Sequence, residues 1–320
     1  MKIGVLGTGV MGQNHVRIYS SMKKVDSVLV YDLNRAIARE VAERTGTVAC
    51  ASAGDLLRRV DAVSICVPTP HHLIAAEAAL AHETHMLIEK PACATALEAH
   101  HLAAAVPDGL VAGVGHIERF NPIVDEVKKI VRKPLYVEAR RHNPTSSRIT
   151  GTSVVEDLMI HDIDVIGHLF PGALAHVSSC GTPDVCAALM SCGDVPVYLS
   201  ASRRSSKKIR SLYIEEEDLT IEGNYMSQEI TVYRRPDAYE SVNERYVQEN
   251  VIEKVLVNRV EPLRLELSTF IDCVRKGRPF PVTLAEATAN LEVCERIAAC
   301  YSITPAHAHA PAEADPARVL

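Results

Sequence analysis

Apolar positions follow two regimes along the chain. Through about residue 120, short apolar runs alternate with stretches of helical period. Lys2–Leu6, Ser27–Tyr31, Asp61–Val67, His85–Ile88 and Leu110–Gly115 read as strands. Helices are expected through His15, Val16 and Ile18 toward Ser21, and from Leu73 to His82. Strands apolar on both faces and separated by helices imply a buried parallel sheet with right-handed crossovers. Beyond a helix near Ile123–Val131 the pattern changes. Leu135–Arg141, Ala175–Cys180, Val185–Cys192, Val197–Arg203, Ile209–Glu215, Leu219–Glu222 and Ile230–Arg234 read as strands with short links, Gly223-Asn224 marking one turn. Val197, Leu199 and Ala201 alternate with Tyr198, Ser200 and Ser202, the signature of an antiparallel sheet with one buried and one open face. Two helices close the pattern. One runs from about Glu261 to Lys276, and the other starts at Thr283 with Glu286 completing a capping box.

The expected fold class is therefore an α/β Rossmann domain, a doubly wound parallel sheet, over residues 1–120, then an α+β domain with an open antiparallel sheet over 121–303. The final helices are expected to pack back on the first domain, and the Ala-, Pro- and His-rich residues 304–320 to form a disordered tail.

Composition narrows the function classes. The 320-residue chain carries a net charge of -6, no Trp and only 4% aromatics, so neither a basic field nor a stacking platform points to nucleic acid. No apolar run approaches bilayer length, and Met1-Lys2-Ile3-Gly4 begins as a strand, so no membrane association and a cytoplasmic location are expected. The nine cysteines include no C-x-x-C pair, and Cys66, Cys186, Cys273 and Cys294 lie in apolar segments, which reads as reduced thiols and no metal site.

Chemistry enters with Gly7-Thr8-Gly9-Val10-Met11-Gly12, a G-x-G-x-x-G run between a strand and a helix. Its glycines permit the turn, the approach of a pyrophosphate and close helix–strand packing. Asp32, at the end of the next strand and about twenty residues on, is where the fingerprint expects an acid for the ribose hydroxyls. That carboxylate favours NAD over NADP, while Arg35 leaves NADP open. Ligands of open α/β sheets sit at the carboxyl ends of the strands. The expected cofactor contacts are thus Gly7, Gly9, Val10, Met11, Gly12, Asp32 and Arg35, with Val67, Pro68, Thr69, His72, Glu89 and Lys90 from later strand ends. A desolvated Lys90 there is suited to proton transfer; the plain alternative is a surface Glu-Lys pair.

Within Thr152–Leu169, helical spacing puts Asp157, His161, Asp164 and His168 on one face of a largely apolar helix. An active-site dyad, with Asp157 orienting His161, is one reading. A satisfied structural His–Asp network and a two-ligand metal site are the others. Arg119, Arg140, Arg141, Arg203 and Arg204 are candidates for holding an anionic ligand, and His116, Phe120 and Asn121 for lining its pocket.

Gly7-x-Gly9-x-x-Gly12, Glu89-Lys90-Pro91, Asp157-x-x-x-His161-x-x-Asp164 and Glu261-Pro262-Leu263-Arg264 together resemble the glucose–fructose oxidoreductase/inositol dehydrogenase/MocA (Gfo/Idh/MocA) group of NAD(P)-dependent oxidoreductases, from Met1 to about Tyr301. The resemblance implies catalytic roles for Lys90, Asp157 and His161. The chain departs from the family where Ser153-Val154-Val155-Glu156 replaces a glycine-rich approach, Met159 replaces a glycine, and Glu83-Thr84-His85 replaces Gly-Lys-His. The first departure, with Gly115-His116-Ile117-Glu118-Arg119-Phe120-Asn121-Pro122, resembles the branch acting on nucleotide sugars. That implies NAD-dependent oxidation of the 3-hydroxyl of UDP-N-acetylglucosamine, feeding a PLP-dependent aminotransferase of a 3-amino-sugar pathway such as lipid A synthesis. Lys90 and His161 are then expected to converge on one carbinol, with either as the base. Rival readings are another sugar or polyol (the UDP-GlcNAc uronate, inositol), a sensor binding cofactor and ligand without turnover, or a sheet-mediated scaffold. An exposed sheet face is a liability, so a homodimer or homotetramer through the C-terminal sheet is expected.

Overall fold

The computed structural model describes residues 1–144, 152–235, 241–242, 245–246 and 251–300. Among the described residues the chain divides into two units, one of Met1–Ile117 with Pro262–Glu292, the other of Glu118–Glu261 with 293–300. The 304–320 tail lies outside the described residues. No helix among the described residues is long and apolar enough to cross a membrane.

The first unit runs β1 (Lys2–Leu6), α1 (Val10–Ser20), β2 (Ser27–Tyr31), α2 (Arg35–Thr45), β3 (Val48–Ala49), α3 (Ala53–Leu57), β4 (Ala62–Ile65), α4 (His72–Ala81), β5 (His85–Glu89), α5 (Ala96–Ala105) and β6 (Ala112–Gly115). Its strands lie in the order β3-β2-β1-β4-β5-β6, and every neighbouring pair is parallel. Ile3, Val5, Val30, Ile65, Met86 and Ile88 are buried, which explains why these strands read as continuous apolar runs. The order switches sides between β1 and β4, opening a crevice at their carboxyl ends.

The second unit begins with α6 (Pro122–Ile130) and β7 (Tyr136–His142), then a π-helical turn at Val155–Met159 leading into α7 (Ile160–Leu169). There follow β8 (Leu174–Thr182), β9 (Val185–Cys192), β10 (Val195–Ser202), β11 (Ile209–Glu215), β12 (Leu219–Asn224), β13 (Glu229–Arg234), β14 (Ser241–Val242), β15 (Arg245–Tyr246) and β16 (Val251–Val255). Eight strands form one sheet in the order β16-β13-β12-β11-β7-β10-β9-β8, and β14 pairs with β15 separately. The sheet is mixed, because β10 runs parallel to β7 after the chain has passed through α7 and the β8–β9 hairpin; its other pairs are antiparallel. Val137, Ala139, Val197, Leu199, Leu212 and Ile214 face inward, while Tyr136, Tyr198 and Tyr213 line the other face.

One expected turn is corrected. Gly223-Asn224 ends β12 and pairs with Ile230 and Glu229. The reversal comes just after, where Asn224 Oδ1 accepts the N–H groups of Met226 and Ser227 at 2.9 and 3.1 Å.

The chain then returns to the first unit in α8 (Pro262–Lys276), ended by Gly277 at φ +58°. α9 (Leu284–Ala299) starts with the expected capping box. Thr283 N–H donates to Glu286 Oε2 at 2.9 Å, and Glu286 N–H donates to Thr283 Oγ1 at 3.2 Å. Phe270 of α8 meets Phe280 edge to face, and Gly113 of β6 leaves room for the Phe280 ring, which an added Cβ would meet at 2.3 Å.

Candidate active site

The crevice of the first unit is shaped by three glycines with separate duties. Gly7 turns the chain at φ +88°. A Cβ on Gly12 would lie 1.9 Å from the Gly7 carbonyl oxygen, so α1 can close on β1 only with glycine there. A Cβ on Gly9 would meet nothing within 4 Å, so Gly9 holds open space above the loop. Gly9 is also the N-cap of α1 and brings no side chain to its first N–H groups, leaving them to an anion.

Asp32 fastens this loop to β2. Its Oδ2 accepts the Thr8 N–H at 2.6 Å and the Thr8 hydroxyl at 3.1 Å, while Oδ1 accepts Asn34 N–H at 2.8 Å. Each oxygen retains acceptor capacity for a ribose hydroxyl. A cavity of about 480 Å³ lies over the loop, lined by Gly7, Gly9, Met11, Asp32, Val67 and Pro68 among others. These features fit a dinucleotide: a pyrophosphate at the helix N-terminus and an acid at the ribose. Val10 and Arg35, first residues of α1 and α2, are exposed at the same edge.

His72 departs from the expected cofactor contact. It is 1% exposed, with Nδ1 2.8 Å from the Pro91 carbonyl oxygen and Nε2 2.9 Å from that of Val67. The ring is a strut between the ends of β4 and β5, and burial pushes its pKa down despite these bonds. Its neighbour His71, not singled out from the sequence, lines the cavity, and Thr69 opens the short 3₁₀ turn leading to it.

Glu89 and Lys90 end β5. Glu89 is buried against His15 of α1, its Oε1 2.8 Å from Nε2, and Lys90 is half-buried. His15 lies on the helix expected from the sequence, but its partner was not read there. Cys66 lies beside this pair, with potential ligand atoms of the three residues all within 4.8 Å. Burial raises the Cys66 thiol well above its ordinary value, and His15 and Glu89 are already bonded to each other. His116, at the end of β6, is fully buried.

In the second unit, the stripe read from the Thr152–Leu169 pattern divides. The π-helical turn adds a residue to the first coil, so Asp157 does not follow the 3.6-residue period of α7. Asp157 Oδ2 accepts Arg203 Nη2 at 3.4 Å, and His161, 9% exposed, follows in the first turn of α7. Asp164 instead takes a bidentate pair from Arg119 at 2.9 and 2.6 Å, and Arg119 Nη1 donates to His168 Nδ1 at 3.0 Å. The lower half of the stripe is thus a satisfied structural network, one of the readings left open by the sequence.

A second buried network surrounds Arg141, which is 1% exposed. Its Nε and Nη2 donate to Asp162 at 3.0 and 2.7 Å, and its Nη1 to Glu118 Oε1 at 2.7 Å. The same Glu118 oxygen accepts Arg210 Nη1 at 3.0 Å. Burial alone would raise the Glu118 carboxyl, but Arg141 and Arg210 hold it below its ordinary value. Asn121 caps α6 and donates to Glu118 and to the Tyr225 carbonyl, and Phe120 is buried beside it. Arg119, Phe120, Asn121 and Arg141, expected at a substrate pocket, are therefore committed inside the unit; Glu118, Asp162 and Arg210, which hold them, were missed. Arg140 pairs with Glu138 and Arg204 with Asp184.

Residues 1–116 match the model of the Gfo/Idh/MocA oxidoreductase family, NAD-binding Rossmann fold. The UDP-N-acetylglucosamine 3-dehydrogenase of Acidithiobacillus ferrooxidans is 32% identical over 244 residues, 73% of this chain and 77% of that one. The inositol 2-dehydrogenase/D-chiro-inositol 3-dehydrogenase of Shouchella clausii is 30% identical over 190 residues, 55% of each chain. Among solved structures, UDP-N-acetylglucosamine 3-dehydrogenase GnnA from A. ferrooxidans matches with a TM-score of 0.86 at 28% identity, covering 94% of this chain and 97% of that chain. Levoglucosan dehydrogenase in complex with NADH and levoglucosan has a TM-score of 0.80 at 18% identity, covering 94% and 96%, a likeness of fold alone.

Proposed function

The chain belongs to the Gfo/Idh/MocA family of NAD-binding oxidoreductases, and on that footing we propose that it oxidises the 3-hydroxyl of a UDP-N-acetylhexosamine, UDP-N-acetylglucosamine above all. The observation that carries this reading is the 32% identity to a UDP-N-acetylglucosamine 3-dehydrogenase over 77% of that protein's length.

Bound NAD supplies the hydride acceptor for C3. In the proposal His161 removes the hydroxyl proton, with Asp157 setting its orientation, and Lys90 holds the same oxygen and stabilises the negative charge that develops on it. The base role is assigned to His161 because an imidazole can take a proton near neutral pH, whereas Lys90 serves best as a charged donor. Arg119 and Arg141 are spent on buried carboxylates and leave the proposed diphosphate set, which keeps Arg140, Arg203 and Arg204.

The 3-keto product is a substrate for a PLP-dependent aminotransferase, and a 3-amino-sugar route such as lipid A synthesis is the setting proposed. The open sheet face is proposed to carry a second copy of the chain. Tyr136, Tyr198 and Tyr213 lie on it, with Leu189, 52% exposed, directly across from Tyr198. Light scattering on the intact chain tests this, and a monomer at micromolar concentration counts against it.

The direct test is NADH formation with UDP-N-acetylglucosamine, its uronate and myo-inositol in parallel, with an aminotransferase present to pull the uphill step. NADH from the neutral UDP-sugar supports the proposal. NADH from inositol alone moves the protein to polyol oxidation.

A further inference from the structure

We propose that Arg210 recognises an oxyanion of the substrate, a phosphate or carboxylate group, within the second unit; the inference rests on the sugar-nucleotide reading. Arg210 stands on β11 in register with Arg141 of β7. Arg141 clamps Asp162, the residue after His161, so Arg210 is one strand away from the ion pair that anchors the proposed base.

The arginines of this unit differ in how far their charge is already used. Arg119 has Asp164 and His168, Arg141 has Asp162 and Glu118, Arg203 has Asp157 and Asp184, and Arg204 has Asp184. Arg210 has a single bond, from Nη1 to a Glu118 oxygen that also accepts the shorter bond from Arg141. Its Nε is buried without a hydrogen-bond partner among the described residues, yet its side chain is 31% exposed. The guanidinium is held through Nη1, and part of the side chain reaches solvent.

A second group points the same way. Tyr225 N–H donates to the Arg210 carbonyl, and the Tyr225 hydroxyl is buried with no partner among the described residues. Arg210 and Tyr225, tied by a backbone bond, each carry a buried side-chain donor without a partner among the described residues. A planar fork with a neutral donor suits the oxygens of a carboxylate or phosphate. Arg141 is matched by Asp162, and Glu118 is shared between Arg141 and Arg210. An incoming oxyanion would use the Arg210 donors that Glu118 leaves open without breaking the Arg141–Asp162 clamp.

The test is calorimetric binding of inorganic pyrophosphate, UDP, UDP-N-acetylglucosamine and its uronate to the intact chain, to Arg210→Gln and to Arg210→Lys. Losing a charge-assisted fork should weaken the recognised ligand by about tenfold or more in Arg210→Gln. Arg210→Lys, which keeps a charge for Glu118, should recover part of that loss. If the group is phosphate, pyrophosphate and UDP weaken together with both sugars; if it is the sugar carboxylate, only the uronate weakens. Equal binding of every probe to the native chain and Arg210→Gln, including equal absence of binding, overturns the proposal. Binding is read without turnover, so failure of the oxidation reading would show separately, as absence of NADH with any UDP-sugar.

Discussion

Nε2 of His15 lies 2.8 Å from Oε1 of Glu89, a buried bond joining the helix that follows the glycine loop to the strand end that carries Lys90. Cofactor loop and lysine are therefore held by one contact. Burial alone would raise the Glu89 carboxyl; His15, then Lys90, outweigh it and hold it below its ordinary value. A carboxyl depressed by folding contributes stability above its unfolded pKa, about 4.3, and loses it as pH falls through the folded value. Urea unfolding followed from neutral to acid pH should show this loss, and Glu89→Gln should flatten that limb. His15→Ala, which leaves a buried carboxylate without its partner, should cost about 3 kcal/mol at neutral pH. An unchanged acid limb in Glu89→Gln would mean that the pair is not ionised.

Gly9 and Gly12 should separate binding from folding. The Cβ of Gly12→Ala would sit 1.9 Å from a backbone oxygen, which no side-chain motion relieves, so α1 must move off β1 and the melting temperature should fall by several degrees. Gly9→Ala meets nothing within 4 Å and should melt like the native chain, yet bind NAD more weakly because its methyl occupies the approach of the pyrophosphate. Thermal melts beside NAD titrations decide this. Equal NAD affinity in Gly9→Ala would mean that the phosphates approach elsewhere.

Asp32 has two tasks, and its variants should expose both. Asp32→Ala removes the acceptor for Thr8 and Asn34 as well as the proposed ribose contact, so NAD affinity should fall by roughly tenfold to a hundredfold. NADP should lose less, since repulsion of its 2′-phosphate goes too. Asp32→Asn keeps an acceptor oxygen but drops the charge, and should relax cofactor preference with a smaller loss for NAD. An unaltered NAD/NADP ratio in both would show that Asp32 serves the loop alone.

The Rossmann unit was legible because each of its signals is local: apolar strands, three glycines and an acid at fixed spacing. The π-helical turn was not, since Val155–Met159 reads as ordinary helical sequence and the extra residue is set by packing. The same limit hid the carboxylate partners of the arginines. Arg141 meets Asp162 and Glu118 across 21 and 23 residues, a relation that no spacing rule encodes. β16 was missed because Val251–Val255 is an exposed edge strand with little alternation.

That buried network should be costly to open. Arg141→Met removes the guanidinium and leaves Asp162 without its counter-ion in the core, Glu118 keeping Arg210, so a loss of about 3–5 kcal/mol is expected. Adding Asp162→Asn to that variant should restore part of the loss, because the stranded charge goes with it. Urea unfolding of the single and double variants measures the coupling. Additive losses would mean that the two side chains do not depend on each other.

The last prediction concerns turnover. Lys90→Met and His161→Asn should each lower kcat by roughly 10²–10⁴-fold, the usual scale for a placed acid–base group, with NAD affinity and melting temperature near native. If both groups act on one hydroxyl, as proposed, the double variant should be little worse than the worse single one, because removing either already disables the proton transfer. Independent groups would multiply their losses instead. A rise in activity with pH governed by an imidazole, lost in His161→Asn and kept in Lys90→Met, would assign the base to His161. The reverse pattern would assign it to Lys90, and full activity in either single variant would remove that residue from the mechanism.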